Sequence, residues 1–169
     1  MNMGIEEFQR IKNEFSCLKL HPVYLEHEST LTSEDSARIR GSELKQGIKA
    51  LVFSDGKGNW VVVNIPADKK VKQKRVAEQL GWSKKRIRMG TKEEVLEKTG
   101  CETGAVPPFG HKTVIPILVD KHIYDNVESD FNMGLRTHSV KISTEEIKVV
   151  FKKIKAIEGN FVKMISHEK

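Results

Sequence analysis

The chain has 169 residues, with 29 Lys and Arg against 23 Asp and Glu, which gives a formal net charge of +6. This length fits one domain. The fraction of apolar residues is close to that of globular proteins, which excludes a disordered tail protein. The sequence holds no apolar run of the ~18 residues that a membrane helix needs, and its start lacks the pattern of a signal peptide. Cys17 and Cys101 match no metal spacing. We therefore expect a single domain over 1–169, in the reducing cytoplasm, without a metal, a cofactor or a membrane partner.

Apolar periodicity and capping residues predict the elements of the first half of the chain. Pro22 ends an N-terminal helix, Thr32 is suited to begin a second helix, and Gly41 is suited to end it. The predicted elements are a helix over about 5–18, a strand at 23–26, a helix over 33–40, and a hairpin of strands at 48–53 and 60–65.

The second half is predicted in the same way. Thr91 with Glu94 and Ser143 with Glu146 have the spacing of capping boxes, and Pro116 places its strand at an edge or a bulge. The predicted elements are a basic helix supported by Val71, Val76, Ala77 and Leu80 and ended by Gly81, a helix over 92–98, strands at 114–119 and 140–142, and a C-terminal helix over about 144–157. Together the elements predict an α+β fold with helices around a mixed sheet.

The positive charge is concentrated in residues 69–92, which we call the basic segment. It carries ten basic side chains and one acid, Glu78, so it holds +9 while the rest of the chain holds −3. Such a segment attracts phosphates to one place, although a solvated helix face explains the charge equally well. Trp82 is its only aromatic residue, whereas general nucleic-acid binders stack bases on several. The candidate contacts to a nucleic-acid backbone are Lys72, Arg75, Lys84, Lys85, Arg86 and Arg88.

The loop over residues 99–110 holds three glycines and two prolines. Glycines let a ligand approach the backbone closely, and prolines stiffen the chain. The loop has no P-loop lysine, so its useful groups are the backbone amides around Gly104, Ala105 and Val106, which can hold a carbonyl or a developing oxyanion. The alternative is a tight structural crossover.

Lys49 lies in an apolar strand, and period-two alternation places it on the same face as Leu51 and Phe53. Its ammonium either reaches solvent at an edge of the sheet or lines a pocket and binds a phosphate or carboxylate.

Other catalytic patterns are missing from the sequence. No His-x-x-x-His, Cys-x-x-Cys or Gly-x-Ser-x-Gly motif occurs, which argues against zinc and serine-hydrolase chemistry. Cys101 follows a predicted helix C-terminus, where the helix dipole disfavours a thiolate. His27 and His138 are candidate substrate contacts, although a lone histidine is more often structural or merely exposed.

A set of motifs runs through the middle of the chain. Gly47-x-Lys49 opens the first long strand, and Thr99-Gly100 leads into Gly104-Ala-Val-Pro-Pro-Phe-Gly110. From about Glu26 to Ile147 these segments resemble the YbaK/ProX family of aminoacyl-tRNA editing deacylases, which are related to the insertion domain of bacterial prolyl-tRNA synthetases. Several members have Lys-Thr where this chain has Lys49-Ala50, which removes a hydroxyl, so the resemblance implies the reaction class and not the amino acid.

The resemblance implies a mixed sheet partly closed into a barrel and hydrolysis of the ester between a wrong amino acid and the terminal adenosine of tRNA. It implies catalytic roles for Lys49 and the Gly104, Ala105 and Val106 amides. The substrate-binding residues that it suggests are His27, Thr32, Arg40, Pro107, Pro108, Phe109, Gly110, Asp120, Asn132, Gly134 and His138.

The sequence therefore favours a trans-editing hydrolase for a small amino acid such as Ala, Cys or Ser. Its expected partners are a mischarged aminoacyl-tRNA and an aminoacyl-tRNA synthetase, and no DNA. One alternative is a module of the same fold that binds tRNA or a synthetase without turnover. Another is a general nucleic-acid binder.

Overall fold

The structure is a computed structural model that describes residues 3–163. Within this range the chain forms an α+β fold, as the sequence predicts. The helices are α1 (Ile5–Cys17), α2 (Ser33–Arg40), α3 (Gln73–Leu80), α4 (Lys92–Thr99) and α5 (Thr144–Lys153). The strands are β1 (Val23–Glu26), β2 (Ile48–Ser54), β3 (Trp60–Pro66), β4 (Lys70–Val71), β5 (Arg88–Met89), β6 (Ile117–Asp120), β7 (Glu128–Leu135), β8 (His138–Ser143), β9 (Ile157–Gly159) and β10 (Val162–Lys163). None of the helices in this range has the length and apolar character to cross a membrane.

The strands form three sheets. The largest has the order β5-β2-β3-β6-β9, in which the β2–β3 hairpin is antiparallel while β6 and β9 run parallel to their neighbours. A second sheet has the order β1-β8-β7, and β10 pairs with β4. Within residues 3–163, one isolated bridge between Gly47 and Asp130 joins the two larger sheets. The predicted partial closure into a barrel is wrong, because one bridge leaves both sheets open.

Apolar side chains fill the space between the helices and the sheets. Phe15 of α1, Phe131 of β7 and Phe151 of α5 are buried and pack around Phe109 from the loop after α4. The ring centroids of Phe15 and Phe109 are 5.9 Å apart in an edge-on arrangement, which aromatic quadrupoles favour. The loop after α4 is therefore anchored in the core, and this anchor holds its glycine-rich part at the surface of the sheets.

Local capping signals account for the helix starts. The Thr32 hydroxyl accepts a hydrogen bond from the Asp35 amide, and Thr91 with Glu94 forms a complete capping box, as predicted. Ser143 also caps α5 by accepting from the Glu146 amide. The second predicted capping box is nevertheless wrong, because the Glu146 carboxylate binds the backbone and the ring of His21 instead.

The structure corrects the bounds of three other predicted elements. Val71 belongs to β4, where it pairs with β10, and the basic helix begins at Gln73. The C-terminal helix ends at Lys153 instead of continuing to 157, because Lys155 turns into the left-handed region with φ 61° and the chain then joins β9. The strand predicted from 114 begins at Ile117, after Pro116.

Candidate active site

A cavity of about 220 Å³ lies beside the unpaired edge of β2. Gly47–Val52 forms one wall, and the loop before α2 and the inward, mostly buried face of that helix form another. The loop after α4 and the β7–β8 hairpin supply a third wall, and further lining residues include Leu44, Ala67, Met89, Gly90 and Val95. Six of the predicted site residues line this cavity: Thr32, Arg40, Lys49, Gly104, Val106 and Asn132.

The edge of β2 presents backbone groups to the cavity. Gly47 accepts from the Ala67 amide, and hydrogen-bonded pairs alternate along an antiparallel ladder, so the N–H and C=O of Ala50 point away from β3. On that side β5 pairs with Phe53 and Ser54 alone, and Gly90 donates to the Val52 carbonyl. In the described part of the chain no strand pairs with the edge at Ala50, so both of its backbone groups are available to a ligand.

Lys49 of β2 belongs to the cavity lining. Its ammonium makes no ion pair or hydrogen bond with any group within residues 3–163. Burial lowers the pKa of Lys49, while the nearby carboxylates of Glu34 and Asp68 oppose that effect. The side chain thus offers an uncommitted, partly desolvated positive charge, which suits a phosphate or a carboxylate.

The glycine-rich loop places backbone amides at the same cavity. Gly104 has φ +91°, a conformation that side chains disfavour. Its amide and that of Val106 have no hydrogen-bond partner among residues 3–163, whereas the Ala105 amide donates to the Glu102 carbonyl over 2.9 Å. Of the three amides that the sequence suggests as oxyanion donors, Gly104 and Val106 are therefore free and Ala105 is occupied.

Arg40 organises the interior end of the cavity. Its guanidinium is buried and donates to Asp130 Oδ1 over 2.7 Å, to Asn132 Oδ1 over 3.0 Å and to Ser139 Oγ over 2.9 Å. Burial lowers the pKa of Arg40, and the Asp130 carboxylate opposes this. Asn132 Nδ2 in turn donates to the Gly104 carbonyl over 2.8 Å. The buried ion pair is thereby connected to the loop that carries the free amides.

His27 supports this network from outside the cavity lining. Its Nε2 lies 2.7 Å from Ser139 Oγ, and its Nδ1 lies 2.7 Å from the Glu28 carbonyl. Because a carbonyl only accepts, the neutral ring carries its proton on Nδ1, and Nε2 then accepts from the hydroxyl. Ser139 can therefore donate to His27 while it accepts from Arg40.

The rest of the predicted loop residues lie behind the cavity. The Pro107 carbonyl accepts from His111 Nε2 over 2.7 Å, and burial lowers the pKa of His111 to about 4. Pro108 and Gly110 likewise use their carbonyls as acceptors, and Phe109 packs in the core. These residues hold the loop in place without lining the cavity.

Three further predicted residues lie away from the cavity. The buried carboxylate of Asp120 accepts from the Phe161 amide over 2.7 Å and ties β6 to the chain after β9. Gly134 packs against the residues that precede α1. His138 makes an edge contact with Phe8, with ring centroids 5.0 Å apart. The geometry gives all three an observed packing role.

Cysteine and metal chemistry find no support in the described residues. Cys101 is buried, and burial raises the pKa of its thiol to about 12, so a thiolate nucleophile is not accessible near neutral pH. Within residues 3–163, no three His, Cys, Asp or Glu side chains come together as a ligand set.

The basic segment ends at the rim of the cavity, where Met89 and Gly90 belong to its lining. Arg88 makes two hydrogen bonds to the Glu94 carboxylate, of 2.8 and 3.0 Å, and Lys84 pairs with Glu78 over 3.1 Å. Arg75 is half-buried, and the other predicted RNA contacts Lys72, Lys85 and Arg86 are exposed. Two of the six candidate side chains thus already have an acidic partner.

The structure adds residues that sequence reasoning missed, chiefly Asp130, Ser139 and Arg136. Asp130 and Ser139 lie on the neighbouring strands β7 and β8, and no local motif in the sequence indicates that both contact Arg40. Arg136 lies in the turn between β7 and β8, and this hairpin is not among the predicted elements. The Asn132-x-Gly134 sequence just before the turn was a local signal for it.

The chain shares its fold with solved proteins. It superposes on the structure of hypothetical protein APE2540 with a TM-score of 0.81 at 22% identity, covering 91% of this chain and 99% of that one. It also superposes on a candidate trans-editing enzyme for prolyl-tRNA synthetase, with a TM-score of 0.77 at 23% identity and coverage of 93% and 97%. At these identities the likeness defines the fold alone.

Sequence comparison then identifies the family. Residues 27–149 match the model of the aminoacyl-tRNA editing domain. The chain is 32% identical over 124 residues to the multifunctional Ser/Thr-tRNA deacylase ProXp-y of Escherichia coli (strain K12), covering 71% of this chain and 73% of that protein. It is 29% identical over 103 residues to the proline–tRNA ligase of Trichlorobacter lovleyi, covering 61% of this chain and 17% of the ligase.

The chain therefore belongs to the aminoacyl-tRNA editing domain family. Within that family it is an editing deacylase of the YbaK/ProX type, which confirms the resemblance drawn from its motifs.

Proposed function

We propose that this chain acts in trans, as one editing domain over 1–169, and hydrolyses the ester between tRNA and a small amino acid such as Ala, Cys or Ser. One observation carries the proposal: Lys49, whose ammonium is uncommitted, and Gly104 and Val106, whose amides are free, all line the same cavity. A volume of about 220 Å³ favours a small aminoacyl group. The Ser/Thr-tRNA deacylase among the relatives supports serine within that set.

The reaction needs a positioned water, donors for the oxyanion and a bound leaving group. In the proposed arrangement, Gly104 and Val106 donate to the ester carbonyl oxygen as it gains charge, which strengthens these hydrogen bonds in the transition state. Lys49 binds the terminal phosphate or orients the attacking water. Water attacks the ester carbonyl carbon, and the bond from that carbon to the adenosine oxygen breaks. The neighbouring adenosine hydroxyl takes a proton from the water and passes its own proton to the leaving oxygen, so no protein nucleophile is required.

The basic segment supplies the proposed contact with the tRNA backbone. Its end at Met89 and Gly90 forms part of the cavity rim, so an RNA bound along it can bring its terminal adenosine to the cavity. Cooperation with a synthetase belongs to the same proposal. The relationship to a proline–tRNA ligase supports it.

The test is a panel of tRNAs charged with Ala, Cys, Ser, Thr and Pro, in which release of the amino acid is measured with the wild type and with Lys49→Ala. We expect release from at least one small amino acid and a loss of about 10²–10³-fold in kcat for the variant, the scale of a lost electrostatic contact in an active site. Lys45→Ala is the matched control, because Lys45 is exposed and lies outside the cavity lining.

The other outcomes identify the alternatives. Binding of charged tRNA without release of any amino acid supports the non-catalytic module. Equal affinity for unrelated RNA or DNA supports a general nucleic-acid binder. A Lys49→Ala variant that deacylates at the wild-type rate shows that the role proposed for Lys49 is wrong.

A further inference from the structure

Arg136 joins the two sides of the cavity from the turn between β7 and β8. Its Nη1 donates to the Thr30 carbonyl over 2.9 Å, in the loop before α2. Its Nη2 donates to the Thr103 carbonyl and its Nε to Glu102 Oε1 over 2.9 Å, both in the loop after α4. One guanidinium therefore bonds to both loops, and each of its three nitrogen atoms donates a hydrogen bond.

The bond to Thr103 determines the direction of a neighbouring amide. A peptide unit is planar and trans, so the Thr103 carbonyl and the Gly104 N–H point in opposite directions. Because Arg136 holds the carbonyl, the Gly104 amide faces away from the guanidinium and stays unpaired beside the cavity. Asn132 holds the next carbonyl, that of Gly104, in the same way and directs the Ala105 amide to Glu102.

Glycine at position 104 makes this restraint both necessary and possible. Glycine populates several backbone regions at little cost, so the Thr103–Gly104 peptide is easily reoriented without a partner. A Cβ at Gly104 would lie 2.7 Å from Arg136 Nη2, closer than real contacts allow. The guanidinium thus packs directly against the residue whose amide it orients.

We propose that Arg136 is a positioning residue that orients the Gly104 amide toward the oxyanion of the deacylation reaction. The inference rests on the proposed function and extends it, since Arg136 acts through the loop and does not touch the reacting atoms. An oriented donor matters most when charge develops on the ester oxygen. Loss of Arg136 should therefore reduce kcat and leave ground-state binding almost unchanged.

Arg136→Lys is the principal variant, because lysine keeps the charge but cannot reproduce the planar three-nitrogen fork. We expect kcat to fall by up to about 10²-fold, the scale of one lost oxyanion donor, with KM within about threefold of the wild type. The affinity for a non-hydrolysable, amide-linked aminoacyl-RNA should stay the same. Arg38→Lys is the matched control, because Arg38 is exposed on α2 and its one ion-pair partner within residues 3–163 is Asp35.

Two further variants separate positioning from folding. Glu102→Gln removes the carboxylate and keeps both carbonyl bonds, so its kcat should stay near that of the wild type. Arg136→Gln can bond to one of the two carbonyls. Its kcat should therefore fall below that of the wild type. Rates are compared only for variants that circular dichroism shows to be folded. If Arg136→Lys does not fold, Arg136→Gln becomes the test variant.

The outcomes are distinguishable from failure of the proposed function. If the wild type releases no amino acid from any charged tRNA, the proposed function fails. If the wild type is active and the folded Arg136 variants keep its kcat, or lose affinity for the amide-linked analogue in proportion to the rate, the positioning role is overturned.

Discussion

The cavity and the basic segment are both cationic, but they hold their charges differently. In the cavity, Arg40 and Arg136 are fixed by multiple hydrogen bonds to neighbouring strands and loops. In the basic segment, side chains such as Lys85 and Arg86 are exposed and have no acidic partner among the described residues. The first region depends on geometry, and the second depends on the number of charges and is screened by salt. Substitutions in the two regions should therefore have different effects. Those around the cavity should change stability or kcat, and those in the basic segment should change salt-dependent binding of tRNA.

The largest effect in this comparison is expected for Arg40→Met. The substitution leaves the Asp130 carboxylate buried without its cation, which costs about 3–5 kcal/mol in typical proteins. Urea unfolding should show that loss of unfolding free energy, whereas Arg38→Met, at an exposed ion pair, should change it by less than about 1 kcal/mol.

A double variant tests the cause of this loss. Arg40→Met combined with Asp130→Asn removes the uncompensated charge, so it should recover part of the stability. A double variant that is as unstable as the two single changes added together would contradict the view that the buried charge dominates the cost.

The second prediction concerns pH and the loop behind the cavity. The folded-state pKa of His111 is about 4, against about 6.5 for an ordinary histidine, so between these values the unfolded chain binds more protons. The contribution of His111, about 3 kcal/mol, is therefore complete above pH 6.5 and is lost as the pH falls toward 4. Urea unfolding from pH 7 to 4 should show a shallower pH dependence in His111→Gln. Equal pH dependence in both proteins would rule this contribution out.

The smallest effect is expected at the basic segment. Changing Lys84, Lys85 and Arg86 together to Gln should leave folding and kcat nearly unchanged and weaken binding of tRNA at low salt. For single-stranded contacts, each lost phosphate contact flattens the log–log salt slope by about 0.7. The matched control changes Lys152, Lys153 and Lys155, which are exposed and, like the test set, include one ion-paired lysine. An unchanged slope in the first variant would place the RNA on another surface.

The sequence predicts best where the cause is local. Thr32, Gly41 and the Thr91–Glu94 pair mark helix ends correctly, because capping depends on residues within one turn. From the residues alone, Lys49 and the glycine-rich loop kept structural alternatives, and it was the family resemblance that implied pocket roles for them. Both segments line the cavity.

Features that depend on distant partners were not predictable in this way. Burial does not alternate regularly along β7, and the strand carries buried polar residues. One of these, Asp130, pairs with Arg40, which is distant in the sequence and is brought near only by folding. Val71 follows apolar helix spacing but is taken into β4 by pairing with β10. The Arg136 contacts join three separate parts of the chain, so no single segment could indicate them.

The unpaired edge of β2 at Ala50 has a consequence for how such an enzyme changes over time. Hydrogen-bonding groups supplied by the main chain are present whatever the side chain, so a substitution at this position changes the shape of the cavity while the N–H and C=O persist. Under the proposed function, the space offered to the aminoacyl group is therefore adjustable separately from these main-chain groups. A lineage could then alter its amino-acid preference at this strand without changing the residues proposed to hold the ester.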